Sequence, residues 1–89
     1  MNPEPLVKAI ISAMLLLEHG GSEQINPDTA LRGLEDIAYQ LLQLTENDRA
    51  ELLTVLERVA DATPDKPTAR FIRSIPFSTG MSADPPPSP

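Results

Sequence analysis

LLQLTENDRAELL, residues 41–53, decides the fold of this chain, because it joins two leucine-rich segments that could otherwise form one long helix. Thr45 is typical of a helix N-cap, whose side chain accepts a hydrogen bond from a backbone N–H two or three residues later. Glu46 and Asp48 would then lie in the first turn of a new helix, where negative charge is favourable. The stretch therefore predicts a break at Thr45 and an antiparallel helical hairpin over residues 27–62.

The two arms of this hairpin each carry one apolar stripe at helical spacing. The first arm begins with Asn26 as N-cap and Pro27 at the first helical position, and Gly33 lies inside it. Its stripe consists of Leu31, Leu34, Ile37, Ala38, Leu41, Leu42 and Leu44. The stripe of the second arm consists of Leu52, Leu53, Leu56, Val59 and Ala60. We expect the two stripes to face each other, and a close neighbour would explain Gly33.

A more apolar helix precedes the hairpin, in the segment EPLVKAIISAMLLLEHGG. Gly20 and Gly21 are typical of a helix end in the left-handed conformation. The apolar residues, which cover more than half of the helix circumference, are Leu6, Val7, Ile10, Ile11, Met14, Leu15, Leu16 and Leu17. Such a helix is either central in the fold or shared with another chain. The sequence therefore indicates a homodimer through helix 1 as one option.

The stretch ATPDKP, residues 62–67, ends the third helix and predicts a short fourth helix, with either Thr63 or Asp65 as its N-cap. Its basic residues Lys66, Arg70 and Arg73 fall on one side of the helix, and Phe71, Ile72 and Ile75 fall on the other. Pro76 is expected to end the helix, with Phe77 in the following turn as a last apolar anchor. The segment is either a lid on the core or a docking patch, and the small size of the domain favours the lid.

Length and composition indicate a small all-α bundle of three to four helices. The chain has 89 residues, so we expect a single helical domain over residues 1–78 and a disordered, Pro-rich tail over residues 79–89. It contains no cysteine, which excludes disulfides and thiolate metal sites. AIISAMLLL is too short to span a bilayer and lacks the flanks of a signal peptide, so we expect a cytoplasmic protein without a membrane partner.

Charge restricts the partner. The formal net charge is −6, and all but one of the thirteen acids precede residue 66. Because nucleic-acid binding depends on a basic field, nucleic acid is not the expected partner. An acidic surface favours a protein partner that is basic.

The sequence offers no catalytic, cofactor-binding or metal-binding constellation. His19 is the only histidine, and seven residues of helix place it about 10 Å from Ser12, which is too far for acid–base catalysis. The acids have no calcium-loop spacing. Tyr39 suits the rim of the core or an interface anchor. The predicted partner-binding residues are Lys66, Arg70, Arg73, Phe77 and Tyr39.

These features predict a non-enzymatic protein-interaction module, such as a small acidic inhibitor or regulatory partner that neutralises a basic enzyme by charge matching. In size, acidity and helical content the chain is similar to nuclease-colicin immunity proteins, although it lacks their tyrosine pair before a proline. The alternative is a helical ligand-binding domain or small enzyme, with a pocket between helix 1 and the hairpin.

Overall fold

The part of the chain that the structure describes forms four α-helices. The computed structural model describes residues 1–20 and 25–83, and this part of the chain contains no strand. The helices are α1 (Glu4–His19), α2 (Pro27–Leu41), α3 (Glu46–Asp61) and α4 (Lys66–Ser78). The predicted all-α fold and the predicted break between the two hairpin arms are confirmed.

Side-chain caps begin three of the helices. The Asn26 side chain accepts a hydrogen bond from the Asp28 N–H at 2.9 Å, and Thr45 accepts one from the Asp48 N–H at 3.2 Å. Of the two candidate N-caps of α4, Thr63 and Asp65, it is Asp65 that caps the helix, because its side chain accepts a hydrogen bond from the Thr68 N–H at 3.0 Å. Each cap satisfies an N–H group that has no partner inside its helix. Local chemistry therefore fixes where α2, α3 and α4 begin.

Removing the Thr45 cap should destabilise the protein. We expect Thr45→Ala to lower the free energy of unfolding by about 1 kcal/mol, because the Asp48 N–H loses its acceptor. Thr54→Ala is the matched control, since Thr54 is an exposed residue inside α3 whose hydroxyl donates to the Ala50 carbonyl. Alanine is the better helix former at that position, so the control should be neutral or slightly stabilising. Urea unfolding followed by circular dichroism measures both, and equal losses would contradict the cap.

Arg49 strengthens the turn between α2 and α3 in a way that the sequence analysis did not predict. Its guanidinium donates to the backbone carbonyl of Leu42 and, at 3.2 Å, to that of Leu44. These carbonyls follow the end of α2, where helix geometry provides no N–H partner. The side chain thus bridges the end of one helix and the beginning of the next.

The core lies among α1, α3 and α4, with α2 packed on its edge. Its buried members are Val7, Ile11, Met14, Val55, Leu56, Val59, Ala60, Ile72 and Ile75. Leu34 and Ile37 of α2 pack against this cluster while remaining partly exposed. The extensive helix contacts are α3 with α4, α1 with α2, and α1 with α3. Helix 1 is therefore central.

This packing corrects the expected meeting of the two hairpin stripes. The α2 stripe lies mainly on α1, because α1 is apolar over enough of its circumference to contact α2 and α3 at once. A Cβ atom at Gly33 would come within 3.0 Å of the Leu17 side chain, so a neighbour does approach this glycine, and the neighbour is α1. Leu31, expected to be buried, is 57% exposed.

The end of α4 also differs from the prediction. Pro76 lies inside the helix, which continues to Ser78. A proline in the last turn removes only one helical hydrogen bond, so the helix can run past it. Gly80 provides the stop, with a φ of 83° in the left-handed region.

Packing continues beyond residue 78, where the sequence analysis placed the start of the tail. Thr79 is buried, and its hydroxyl donates to the Ile75 carbonyl at 2.7 Å. Met81 packs against the core cluster. The rest of the predicted tail, residues 84–89, lies outside the described residues.

Helix α1 ends at the predicted place but with another geometry. Its C-cap, Gly20, has φ −65° and ψ 133°, which is extended and not left-handed. A Cβ atom there would lie 2.5 Å from the Leu16 carbonyl oxygen, so space and not backbone conformation favours glycine. Gly21 lies outside the described residues.

Candidate protein-binding site

Three of the predicted partner-binding residues, the basic Lys66, Arg70 and Arg73, lie close together on α4. Arg73 already forms ion pairs within the protein. Its Nε donates to Glu57 Oε1 at 3.2 Å, and a terminal nitrogen donates to Asp61. These hydrogen bonds, above all the one that Arg73 donates to Glu57, raise the pKa of the Arg73 guanidinium. Both acids belong to α3, so Arg73 joins α4 to α3.

Lys66 and Arg70 remain available on this side of α4. Both are exposed, and neither forms an ion pair with a described residue. Phe77, 47% exposed, lies one helical turn beyond Arg73, whereas Tyr39, 62% exposed, belongs to α2. Helical spacing thus groups Phe77 with the basic residues and leaves Tyr39 apart. Partner binding by these residues stays a prediction.

A groove that the sequence analysis did not predict runs between α2 and α4, with α1 beneath it. Its cavity volume is about 310 Å³. Helix α1 supplies Met14 and Glu18. The α2 wall is formed by Leu31, Leu34, Glu35 and Ala38. The opposite wall, at the C-terminal half of α4, is formed by Phe71, Ser74, Ser78 and Thr79. We call this the α2/α4 groove.

The two serines that line the α2/α4 groove add little polarity to its surface. The Ser74 hydroxyl donates to the Phe71 carbonyl at 2.6 Å, and the Ser78 hydroxyl donates to the Ile75 carbonyl at 3.3 Å. Since these hydroxyl protons are used inside α4, the serines present small, largely satisfied side chains to the groove. The groove is therefore suited to an apolar occupant.

Its charge is wholly acidic. Glu18 and Glu35 are exposed on the rim, and no basic residue lines the groove. Neither carboxylate forms an ion pair with a described residue. The chain as a whole carries a formal charge of −6, so the field around the groove favours a cation.

The groove exists because α2 packs on α1 and α4 packs on α3, while α2 and α4 do not pack extensively on each other. Helical spacing identifies the apolar stripe of α2, but it does not tell which neighbour covers each part of the stripe. Leu31 and Ala38 belong to the predicted stripe of α2, but in the structure they line an open gap. The sequence therefore held no signal for the groove, because the gap depends on how the helices pack and not on the spacing within one of them.

His19 and the acidic residues are the candidates in the sequence for acid–base or metal chemistry. The His19 ring contacts the Phe71 ring edge-on, with 5.4 Å between centroids, beside an open depression lined by Thr68 and Arg70. Among residues 1–20 and 25–83, His19 has no hydrogen-bond partner that would orient it as a base, and no three acids or histidines are grouped to hold a metal ion. None of the four helices has the length and apolarity needed to cross a bilayer.

Two carboxyl groups with lowered pKa values, Glu4 and Asp65, take part in contacts that stabilise the fold. A hydrogen bond from Arg58 lowers the pKa of Glu4 and links α1 to α3. Hydrogen bonds from the side chain and then the backbone of Thr68 lower the pKa of Asp65, the α4 cap. Neither carboxyl group lines the α2/α4 groove, so these shifts do not mark a site there.

Comparison with known proteins adds no relative on which a function can rest. No protein-family model, no curated protein and no solved structure matches this chain.

Proposed function

We propose that this chain is a protein-interaction module that binds an amphipathic, basic helix of a partner protein in the α2/α4 groove. The observation that carries the proposal is an apolar groove whose only charged lining residues are Glu18 and Glu35, both without an ion-pair partner among the described residues. Recognition of an apolar helix face by a groove between helices is a common way of binding peptides.

Each wall of the groove is long enough to contact about two turns of a helix. Leu31 and Ala38 are seven residues apart on α2, and Phe71 and Ser78 are seven apart on α4, which gives each wall a length of about 10 Å. Leu31, already 57% exposed, would gain burial from such an occupant. The interface is small, so we expect a dissociation constant of about 10 μM.

Charge supplies orientation and specificity. Lysine or arginine beside the apolar face of the partner helix would lie near Glu18 and Glu35. Pairs of this kind are exposed to water, so they should contribute modestly to affinity and weaken with salt. A basic partner is also what the formal net charge of −6 favours.

Neutralising the rim should weaken binding of a basic helix. The probe is a fluorescein-labelled, 14-residue leucine–lysine peptide with leucines at helical spacing. We expect the double variant Glu18→Gln/Glu35→Gln to bind it about five-fold more weakly, because two exposed charge pairs are lost. Fluorescence anisotropy at low and moderate salt measures the dissociation constant.

A matched control separates the groove from overall charge. Glu46→Gln/Glu51→Gln changes the net charge by the same amount, and neither residue lines the groove. We expect this control to bind nearly as well as the unmodified protein. Equal weakening in the two double variants would show that only net charge matters and would contradict a groove site. A peptide of the same composition with leucine and lysine alternating should bind more weakly, since it cannot present one apolar helix face.

Ligand binding is the second candidate function. A cavity of about 310 Å³ reaches the lower end of the range for small-molecule sites, roughly 300–1,000 Å³. An uncharged apolar ligand would bind without the salt dependence expected of the basic helix. We propose binding without catalysis in either case, and a cytoplasmic location and an inhibitory role stay predictions.

A further inference from the structure

The exposed side of α1 carries a second apolar surface, away from the α2/α4 groove. Leu6 and Leu16 are 53% and 57% exposed, and Ala9 and Ala13 between them are also exposed. At 100° per residue these four side chains fall within an arc of about 80°. We call them the α1 strip. Met14 and Glu18, which line the groove, lie on the other side of the helix.

The α1 strip has no charge, although the protein is strongly acidic. On the helical wheel, Glu4, Lys8 and Glu18 each lie roughly 120° or more from its centre. Glu4 is paired with Lys8 and with Arg58, which turns it toward α3. A second copy of the chain that approached along this side would therefore meet no charged side chain of α1 itself.

The spacing of the α1 strip is the same in both directions. From Leu6 the steps are three, four and three residues, and from Leu16 they are again three, four and three. If two copies of α1 pair antiparallel about a twofold axis beside residue 11, Leu6 lies opposite Leu16 of the second copy, and Ala9 lies opposite Ala13. Self-complementarity of this kind is what a twofold interface requires.

The small side chains at the centre of the α1 strip also suit an antiparallel pair of helices. Alanines at the centre allow the helix axes to approach to about 8 Å, near the lower limit for packed helices. The two leucines, about 15 Å apart along the axis, would cover the alanines from both ends. A contact of this length buries less than a standard interface, so association should be weak, with a dissociation constant on the order of 0.1–1 mM.

From these observations we infer that the protein forms a weak antiparallel homodimer through Leu6, Ala9, Ala13 and Leu16. In this dimer, α1 pairs with α1 of the second copy, with Leu6 opposite Leu16. It does not rest on the proposed function, because none of these four residues lines the α2/α4 groove. Each dimer would present two grooves, and a partner with two basic helices would bind it with increased avidity.

Sedimentation equilibrium of the full chain from about 10 μM to 2 mM tests the dimer. The average mass should rise from the monomer value of 9.7 kDa toward twice that value. Ala13→Glu should remain monomeric throughout, because it places a charge at the centre of the strip. Ala50→Glu, the same substitution at an exposed position on α3, should associate like the unmodified chain. A constant monomer mass, or association of Ala13→Glu equal to that of Ala50→Glu, would overturn the inference.

Disulfide formation tests the register. The chain has no cysteine, so a single introduced thiol reports on one position. We would oxidise an equimolar mixture of ¹⁵N-labelled Ala9→Cys and unlabelled Ala13→Cys at millimolar concentration and identify the products by mass. Antiparallel pairing predicts an excess of the mixed disulfide over either homodimer. An excess of homodimers, or a statistical mixture, would contradict this register. Peptide binding at the groove should be unchanged in Ala13→Glu, so failure of either proposal can be recognised without the other.

Discussion

Ile75→Ala should lower the free energy of unfolding by about 3 kcal/mol. Ile75 is 1% exposed and lies in the core with Ile72 of α4 and with residues of α1 and α3. Removing three carbons from such a position costs burial energy and leaves a cavity, which together amount to about 2–5 kcal/mol. A domain of this size is stable by roughly 4–12 kcal/mol, so the substitution removes a large part of the total. Urea unfolding followed by circular dichroism gives the value.

Phe77→Ala is the matched control in the same helix. Although phenylalanine is larger than isoleucine, Phe77 is half exposed and lies on the other side of α4. We expect its truncation to cost less than about 1 kcal/mol. If Phe77→Ala were the more destabilising of the two, the assignment of α4 to the core would be wrong. The expected result means that the segment ARFIRSIPF closes the core and is not a detachable docking helix.

Filling the α2/α4 groove should abolish peptide binding. Ala38→Trp places a large ring on the α2 wall, opposite Phe71 and Ser74. The indole would occupy much of the 310 Å³ cavity and compete with the leucine side chains of the peptide. We expect the leucine–lysine peptide to bind on the order of ten-fold more weakly or not at all. Because Ala38 is only partly buried, the protein should keep its fold and stability.

Tyr39→Trp provides the comparison from the neighbouring position. Tyr39 is exposed and does not line the groove, so peptide binding should be unchanged. The chain has no tryptophan of its own, so each variant carries one fluorescent indole. The emission of Ala38→Trp should be shifted to shorter wavelength relative to Tyr39→Trp, since its indole lies among apolar side chains. Unweakened peptide binding to Ala38→Trp with that emission shift would show that the peptide binds elsewhere.

Helix ends could be predicted because their chemistry is local. Asn26 and Thr45 each act on N–H groups two or three residues away, so their capping role follows from sequence and spacing alone. Pro76 shows the limit of such rules, because its effect depends on how close it lies to the end of the helix. Thr79 shows a second limit. It is a polar residue in a segment predicted as a turn, yet it is buried, and its hydroxyl donates a hydrogen bond to the Ile75 carbonyl.

Helix partners could not be predicted in the same way. The spacing of Leu34 and Ile37 defines a face of α2, but either α1 or α3 could have covered it. The ion pairs of Arg73 with Glu57 and Asp61 depend on how α4 lies on α3, so the sequence did not show that this predicted partner-binding residue also joins two helices of the fold. The α2/α4 groove is a gap between two helices, and no spacing within either helix encodes it.

Chemical-shift mapping of the peptide on the protein tests the groove most directly. Methyl and amide resonances of the full chain would be followed during titration with the unlabelled leucine–lysine peptide, below the concentration at which α1 pairs. We predict that the largest shifts occur at Met14, Leu31, Leu34 and Ala38, with little change at Val55 in the core or at Leu6 on the α1 strip. Shifts concentrated at Lys66 and Arg70, or on the α1 strip, would contradict binding in the groove.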